Sequence, residues 1–358
     1  MKSKLSVQEK QNYNTHAIGL SEDVLQDLYG QQQTDLLFLK ELIEKVLDSM
    51  PEEALASVVD QYNDALANCD SIDYQDRDTV LAYATLHLMD RYHRFQIMQR
   101  EMLQHGLLAQ YGKDSCEVLD VGAGPAPALM AFSDYYDWLS RYTKTRSPMA
   151  GDYVEQSQGF RQFLHHFVEY GMLHGKQYHI PFHFGNFDDF SMFLLQREVR
   201  DIWGRDKKQK FRYDIAIFSN FLTNEETITR FDASLKKVLM SLRNHGLVII
   251  VGARSKASKK YRNIYDICQK IIMKKFRNRH YRGYWTCVLS NEFDVQYAAD
   301  AQGRIVQAYH RDLVQRIKNH NLWSQLQPNV KKALESACED HDRTQWEMVV
   351  YQKHVWRR

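Results

Sequence analysis

The sequence predicts a doubly wound α/β fold preceded by an all-helical module, on three observations. Apolar residues recur at helical spacing through the first hundred positions, and from Cys116 onward short apolar runs alternate with amphipathic stretches. The first of those runs ends in Asp120-Val121-Gly122-Ala123-Gly124, a glycine turn leading into a helix-compatible segment. The boundaries expected are 1–112 for the helical module and 113–358 for the sheet domain, with a basic insertion at about 254–285.

Within the module, Leu36, Leu39, Ile43, Val46 and Leu47 mark one helix over 35–47. Ser49 ahead of Pro51 and Glu52 reads as a capping-box start for a second helix bearing Leu55, Val58, Val59, Tyr62 and Leu66. A third runs from about Thr79 to Leu108, free of Gly and Pro until Gly106. Beyond Cys116 the expected strands are CEVLDV, DYVE (152–155), HIPFHF (179–184), YDIAIFS (213–219) and LVIIVGA (247–253). Helices should separate them: PALMAFSDYYDWL, then one with Phe160, Phe163, Leu164, Phe167 and Val168 on one face, then one with Ile228, Phe231, Leu235, Val238 and Leu242. Alternation of this kind specifies a parallel sheet. A strand pair at Cys287–Tyr297 and Arg304–Tyr309, two short helices and a last strand at 345–352 complete the expected order.

Composition narrows the function classes. With 44% hydrophobic and 26% charged residues, 16 Gly and 6 Pro, the chain is neither collagen-like nor low-complexity. No run approaches the length of a membrane helix, and the charged start has no apolar core behind it, so a cytoplasmic protein is expected. The cysteines Cys69, Cys116, Cys268, Cys287 and Cys338 are scattered without a CxxC pair, and the histidines lack HExxH or HxH spacing, so no metal site is expected. The net charge of +2 hides an asymmetry: residues 1–75 hold 14 acids against 5 bases, and residues 254–282 hold 11 Lys or Arg against Asp266 alone. That pattern suits either an anionic partner or attraction between the two ends of the chain.

The glycine turn carries the most chemistry. Glycines at the end of a first strand let backbone pass close to a ligand at the topological switch point. A dinucleotide loop needs GxGxxG, and Pro127 stands where the third glycine belongs and removes an amide. Asp120 would repel a diphosphate and suits a cationic group. In these residues the sequence resembles the class I S-adenosylmethionine-dependent methyltransferases, whose first motif reads acid-x-Gly-x-Gly-x-Gly or Ala; Asp120, Gly122, Gly124 and Ala126 match it. The resemblance covers roughly 113–253 and implies a Rossmann-like methyltransferase sheet holding S-adenosyl-L-methionine.

Carried over residue by residue, the resemblance implies that Glu155, at the end of the second strand, accepts hydrogen bonds from both ribose hydroxyls. Its offset from Asp120 implies an insertion near 139–150. Asn186 and Asp188 become candidates for the adenine amino group, with a solvated loop the alternative; Ser219 and Asn220, at the mouth of the site, are catalytic candidates, and Ser219 is a cofactor-binding candidate as well. The Asn/Asp-Pro-Pro-aromatic motif of amino-group methylases is absent, since Phe221 and Leu222 replace both prolines. His93, beside Tyr92, is a further catalytic candidate that would cover the cofactor from the long helix, against a plain core role. More distantly, the order of motifs resembles the ribosome-associated methyltransferase-like family of bacteria and mitochondria, which carries cysteines after its fifth strand. Here Cys268 and Cys287 stand alone, and only the superfamily is carried forward.

In the insertion, Lys259, Lys260, Arg262, Lys274, Lys275 and Arg277 interleave with Tyr261, Tyr265, Tyr281, Tyr284 and Trp285, as phosphate neutralisation plus base stacking requires. The plainer reading is an ordinary solvated basic helix, or one docked on the acidic N-terminal module. The function expected is methyl transfer from S-adenosyl-L-methionine to RNA. The alternatives are a small-molecule O- or N-methyltransferase, its acceptor held near Tyr135, Tyr136, Trp138 and Phe221, and a non-catalytic cofactor-binding assembly factor; an oligomer is compatible with each. The helical module is expected to rest on the ligand edge of the sheet as a lid.

Overall fold

The computed structural model describes residues 21–67, 72, 74–108, 116–147, 149–178, 180, 182–184, 198–200, 206–208, 213–220, 225–253, 269–273, 276–277, 281–339 and 343–357. Helix α1 (Glu22–Asp48) comes first, then α2 (Glu52–Asp60), the short α3 (Tyr62–Ala67) and α4 (Arg77–Gln104). Strand β1 (Cys116–Val121), α5 (Pro127–Thr143), β2 (Met149–Val154), α6 (Gln158–Leu173) and β3 (Phe182–Phe184) follow. Two three-residue strands, β4 (Glu198–Arg200) and β5 (Asp206–Lys208), pair with each other in a separate two-stranded sheet among the described residues. The chain continues through β6 (Tyr213–Ser219), α7 (Glu225–Ser241), β7 (Leu242–Ala253), β8 (Phe276–Arg277), β9 (Tyr281–Gln296), α8 (Ala301–Asn319), α9 (Pro328–Ser336) and β10 (Arg343–Arg357).

The main sheet has eight strands in the order β3-β2-β1-β6-β7-β10-β9-β8. The five strands from β3 to β7 are parallel, and β10, β9 and β8 add antiparallel neighbours beyond β7. The order reverses at β1, whose neighbours are β2 on one side and β6 on the other. That is the switch point at which open α/β sheets bind ligands.

Two apolar cores sandwich the sheet. One runs unbroken from Leu28, Leu36 and Leu39 of α1 through Leu88, Tyr92 and Phe95 of α4 to Val118, Ile217, Ile249 and Met348 of the sheet. The helices of the first hundred residues and one sheet face therefore share a single core. On the other face Phe231, Leu235, Val238 and Leu239 of α7 pack on Leu119, Phe218, Val248 and Ile250. Each such side chain stabilises the fold by about 1.5–3 kcal/mol when fully buried. Polar groups fix the same joints. Lys176 Nζ lies 2.6 Å from both Asp35 Oδ1 and Asp134 Oδ1, and the Tyr92 hydroxyl donates to Asp134, tying α1, α4 and α5 together. Lys353, itself buried, donates to the carbonyls of Leu239 (2.8 Å), in the last turn of α7, and of Leu242 (2.7 Å), at the start of β7.

Several expectations are corrected. Residues 304–309 lie in α8 and not in a strand: Val306, Tyr309, Leu313 and Ile317 recur at helical spacing and are buried along one side, which overrides the β-branched pair Ile305-Val306. Ser49 does not cap α2; its hydroxyl donates to the Val46 carbonyl at 2.8 Å, and Pro51 precedes the first helical residue. The second helix splits into α2 and α3 at Gln61. Helix α1 begins thirteen residues before the apolar run that predicted it. The long helix starts at Arg77 because Asp76 caps it, accepting from the N–H groups of Asp78 (2.9 Å) and Thr79 (3.2 Å).

Candidate functional site

At the end of β1 the backbone turns through Gly122 (φ 67°), Gly124 (φ 55°) and Ala126 (φ 55°) into α5, with Pro127 at its first position. The Gly122 N–H donates to the Val154 carbonyl at 2.8 Å, which fastens the turn to the end of β2. Left-handed φ values at Gly122 and Gly124 are costly for any other residue type. At Gly124 a side chain would also meet the Phe160 ring, 4.0 Å from an added Cβ.

Glu155 follows β2 and faces this turn. Its Oε2 accepts from Gly124 N–H at 2.8 Å, and its Oε1 accepts from Ser157 N–H at 2.8 Å. Each carboxylate oxygen keeps a second acceptor position. Burial pushes the Glu155 carboxyl above its ordinary range, opposed by those two N–H groups and by the nearby Arg161. Arg161 donates to the carbonyls of Glu155 (2.8 Å) and Gln156 (3.0 Å), holding the strand end in place.

Asp120, in β1, is 1% exposed, and its Oδ1 is a buried atom without a hydrogen-bond partner among the described residues. Burial first, and then the Glu155 charge, push its carboxyl up to about 8, against the pull of the Val121 N–H. Two acids thus flank the glycine turn.

The segment before α4 closes over this corner. Ser157 caps α6 by accepting from Phe160 N–H at 3.0 Å, and its hydroxyl donates to the Tyr74 carbonyl. Gln75 Oε1 accepts from Gln158 N–H at 3.1 Å. The Phe160 ring packs on Tyr74 (4.7 Å between centroids) and Tyr83 (5.3 Å). A cavity of 490 Å³ lies behind them, lined by Val80, Leu81, Phe163, Phe167 and Tyr170, with Arg77 and His166 also in its wall.

Register pairs Val121 with Phe218, so Ser219 stands level with Gly122 at the end of β6. Asn220 follows in a left-handed conformation (φ 50°), its N–H donating to the Val251 carbonyl at 2.9 Å. The structure therefore brings Asp120, Gly122, Gly124, Glu155, Ser219 and Asn220 to one edge. Asn186, Asp188, Phe221, Leu222, Lys259, Lys260, Arg262, Cys268, Lys274 and Lys275 lie outside the described residues.

His93 is 1% exposed, with its ring 6.2 Å from that of Tyr297, and burial lowers its pKa to about 3, which matches the core alternative. Tyr135, Tyr136 and Trp138 are core residues of α5, at most 3% exposed. Tyr74, Ser157, Phe160 and Arg161 are additions to the sequence reading. Ser157 was accessible there as a cap residue three positions before Phe160; Tyr74 was not, because its place depends on tertiary packing.

No protein-family model matches the chain, and no curated protein matches it. Among solved structures, a candidate sarcosine dimethylglycine methyltransferase from Galdieria sulphuraria is similar at 12% identity and TM-score 0.38, over 73% of this chain and 85% of that one. Phosphoethanolamine N-methyltransferase 2 of Haemonchus contortus, solved with S-adenosyl-L-methionine, is similar at 11% identity and TM-score 0.37, over 79% of this chain and 60% of that one. A candidate RNA methyltransferase from Pyrococcus horikoshii is similar at 11% identity and TM-score 0.36, over 74% of this chain and 85% of that one. At these values function has to be read from this chain's own residues.

Proposed function

We propose that the chain is an S-adenosyl-L-methionine-dependent methyltransferase whose acceptor is RNA. The observation that carries the reading is the acid pair at the glycine turn: Glu155, anchored by two backbone N–H groups, beside buried Asp120, whose Oδ1 has no partner among the described residues. These residues fit the cofactor. Glu155 has acceptor positions left for two ribose hydroxyls, Gly122 and Gly124 leave the backbone open, and Asp120 offers a countercharge to a cationic ligand.

When bound, the cofactor supplies an electrophilic methyl carbon on a sulfonium centre. What remains for the protein is to align an acceptor and exclude water. Ser219 and Asn220 would align the acceptor from the end of β6, while Tyr74, Tyr83 and Phe160, with helices α1 to α4 as a lid, would shield the turn. Charge supports RNA, since residues 254–282 carry 11 bases against one acid.

The 490 Å³ cavity favours a second reading, a small-molecule acceptor with an apolar body and an anionic group near Arg77. A non-catalytic assembly factor would bind the cofactor without turnover. Methyl-label transfer from S-adenosyl-L-methionine to RNA, protein and metabolite fractions separates the three. Label in RNA is expected; label in metabolites alone supports the second reading, and binding without label supports the third.

A further inference from the structure

The antiparallel β9–β10 pair continues past the rest of the sheet. Strand β7 pairs with β10 only from Trp346 to Gln352, whereas β9 pairs with β10 down to Arg357. Strand β8 adds a short third strand, with Arg277 opposite Arg282. On one face of this ribbon Tyr284 sits opposite His354 and Arg282 opposite Trp356. The Tyr284 and His354 rings stack at 4.7 Å, Trp356 lies edge-on to Tyr284 at 5.4 Å, and His245 flanks His354 at 5.7 Å. Trp356 is 47% exposed and Tyr284 37%, and Arg282 and His245 are exposed as well. The opposite face is closed: Trp285, named from sequence as a stacking residue, is 3% exposed and packs in the core with Tyr351.

The strand ends that carry these rings are basic in sequence. Residues 276–287 and 351–358 contain Arg277, Arg279, Arg282, Lys353, Arg357 and Arg358 and neither Asp nor Glu; Arg282 is exposed on the face of the rings, and Lys353 is buried on the other face. Exposed rings on a strand pair, with the Arg282 guanidinium on the same face and no Asp or Glu in the two strand ends that carry them, match bases joined by phosphates. An apolar protein surface would leave Arg282 without a counterion.

We propose that this ribbon end, with Tyr284, His354, Trp356 and Arg282 on its face, is a docking platform for single-stranded RNA; naming RNA rests on the acceptor reading above. Register fixes where the platform stands. Gln352 is level with Leu247, Ile215 and Val118, four residues before Gly122, and Trp356 is four residues further on. The separation along the strands is therefore about 26 Å, eight steps of roughly 3.3 Å. The platform holds a stretch of RNA away from the reacting nucleotide and orients it, without touching the methyl acceptor.

The test is fluorescence anisotropy of the full chain with a labelled uridylate dodecamer, without cofactor, at low and raised salt. Trp356→Ala and Tyr284→Ala should each weaken binding roughly five- to hundred-fold, and Arg282→Ala should lower the salt slope by about 0.7. Trp356→Phe, which keeps a ring, should bind nearly like the wild type, and the melting temperature of each variant checks the fold. Alanine variants that melt and bind like the wild type overturn the proposal, as does a wild type that ignores the dodecamer or binds only anionic lipid vesicles. A negative result here leaves cofactor binding to be measured separately, so the two readings fail independently.

Discussion

Gly124 donates its backbone N–H to Glu155 Oε2 at 2.8 Å, so the glycine turn after β1 and the acid after β2 are one unit. Because the same carboxylate also takes the Ser157 N–H, the entry to α6 depends on it as well. Glu155→Ala should therefore lose more than ligand contacts. Each charge-assisted bond is worth about 1.5–3 kcal/mol, so cofactor affinity should fall by more than ten-fold, with a lower melting temperature in the absence of ligand. Glu155→Gln keeps one acceptor oxygen and should fall between the two. Titration calorimetry and thermal melts read both effects.

Asp120 sets a pH dependence whose sign can be worked out. Its carboxyl rises from 3.8 to about 8 on folding, so between those values the folded chain holds a proton that the unfolded chain releases. Its contribution to stability is full below pH 4 and is lost as pH rises through 8. Each unit of displacement is worth about 1.4 kcal/mol, so Asp120→Asn should melt higher than the wild type at pH 8 and no higher at pH 4. A cationic ligand would favour ionised Asp120, so binding should release a proton below pH 8 and tighten as pH rises. Calorimetry in two buffers of different ionisation enthalpy measures that proton.

Gly159 is where the segment before α4 meets α6. A Cβ there would lie 2.4 Å from the Tyr74 carbonyl oxygen and 2.8 Å from Val80 Cγ2, a backbone clash that cannot be relieved by rotating a side chain. Gly159→Ala should push residues 74–80 off the site, costing about 1–3 kcal/mol and weakening cofactor binding in the same variant. An unchanged melting temperature with unchanged affinity would refute the lid.

Lys353 offers a test away from the site. Its ammonium donates to carbonyls where α7 passes into β7, so Lys353→Met takes that donor away at about 1–3 kcal/mol in all. The variant should melt lower while cofactor affinity stays within two-fold of the wild type.

Much of this was legible in the sequence because it is local. Asp120 to Gly124 declare a strand, a turn and backbone space within five residues, and Glu155 follows from the end of the next strand. What failed depended on distant partners. Ile305-Val306 favours a strand until Tyr309, Leu313 and Ile317 find one core. Trp285 and Trp356 look alike in sequence, and only the pairing of β9 with β10, which shifts register at Val350–Tyr351, decides which faces solvent. His93 lies on a helix buried along both of its sides, so spacing could not tell a core histidine from a site histidine.

The central claim is that Asp120, Gly122, Gly124 and Glu155 bind S-adenosyl-L-methionine. Isothermal titration of the wild-type chain with S-adenosyl-L-methionine and with S-adenosylhomocysteine tests it most directly. Saturable binding of both, abolished when Gly122 is replaced by Val and weakened in Glu155→Ala, is the result expected. A wild-type chain that takes up neither ligand at millimolar concentration would contradict it.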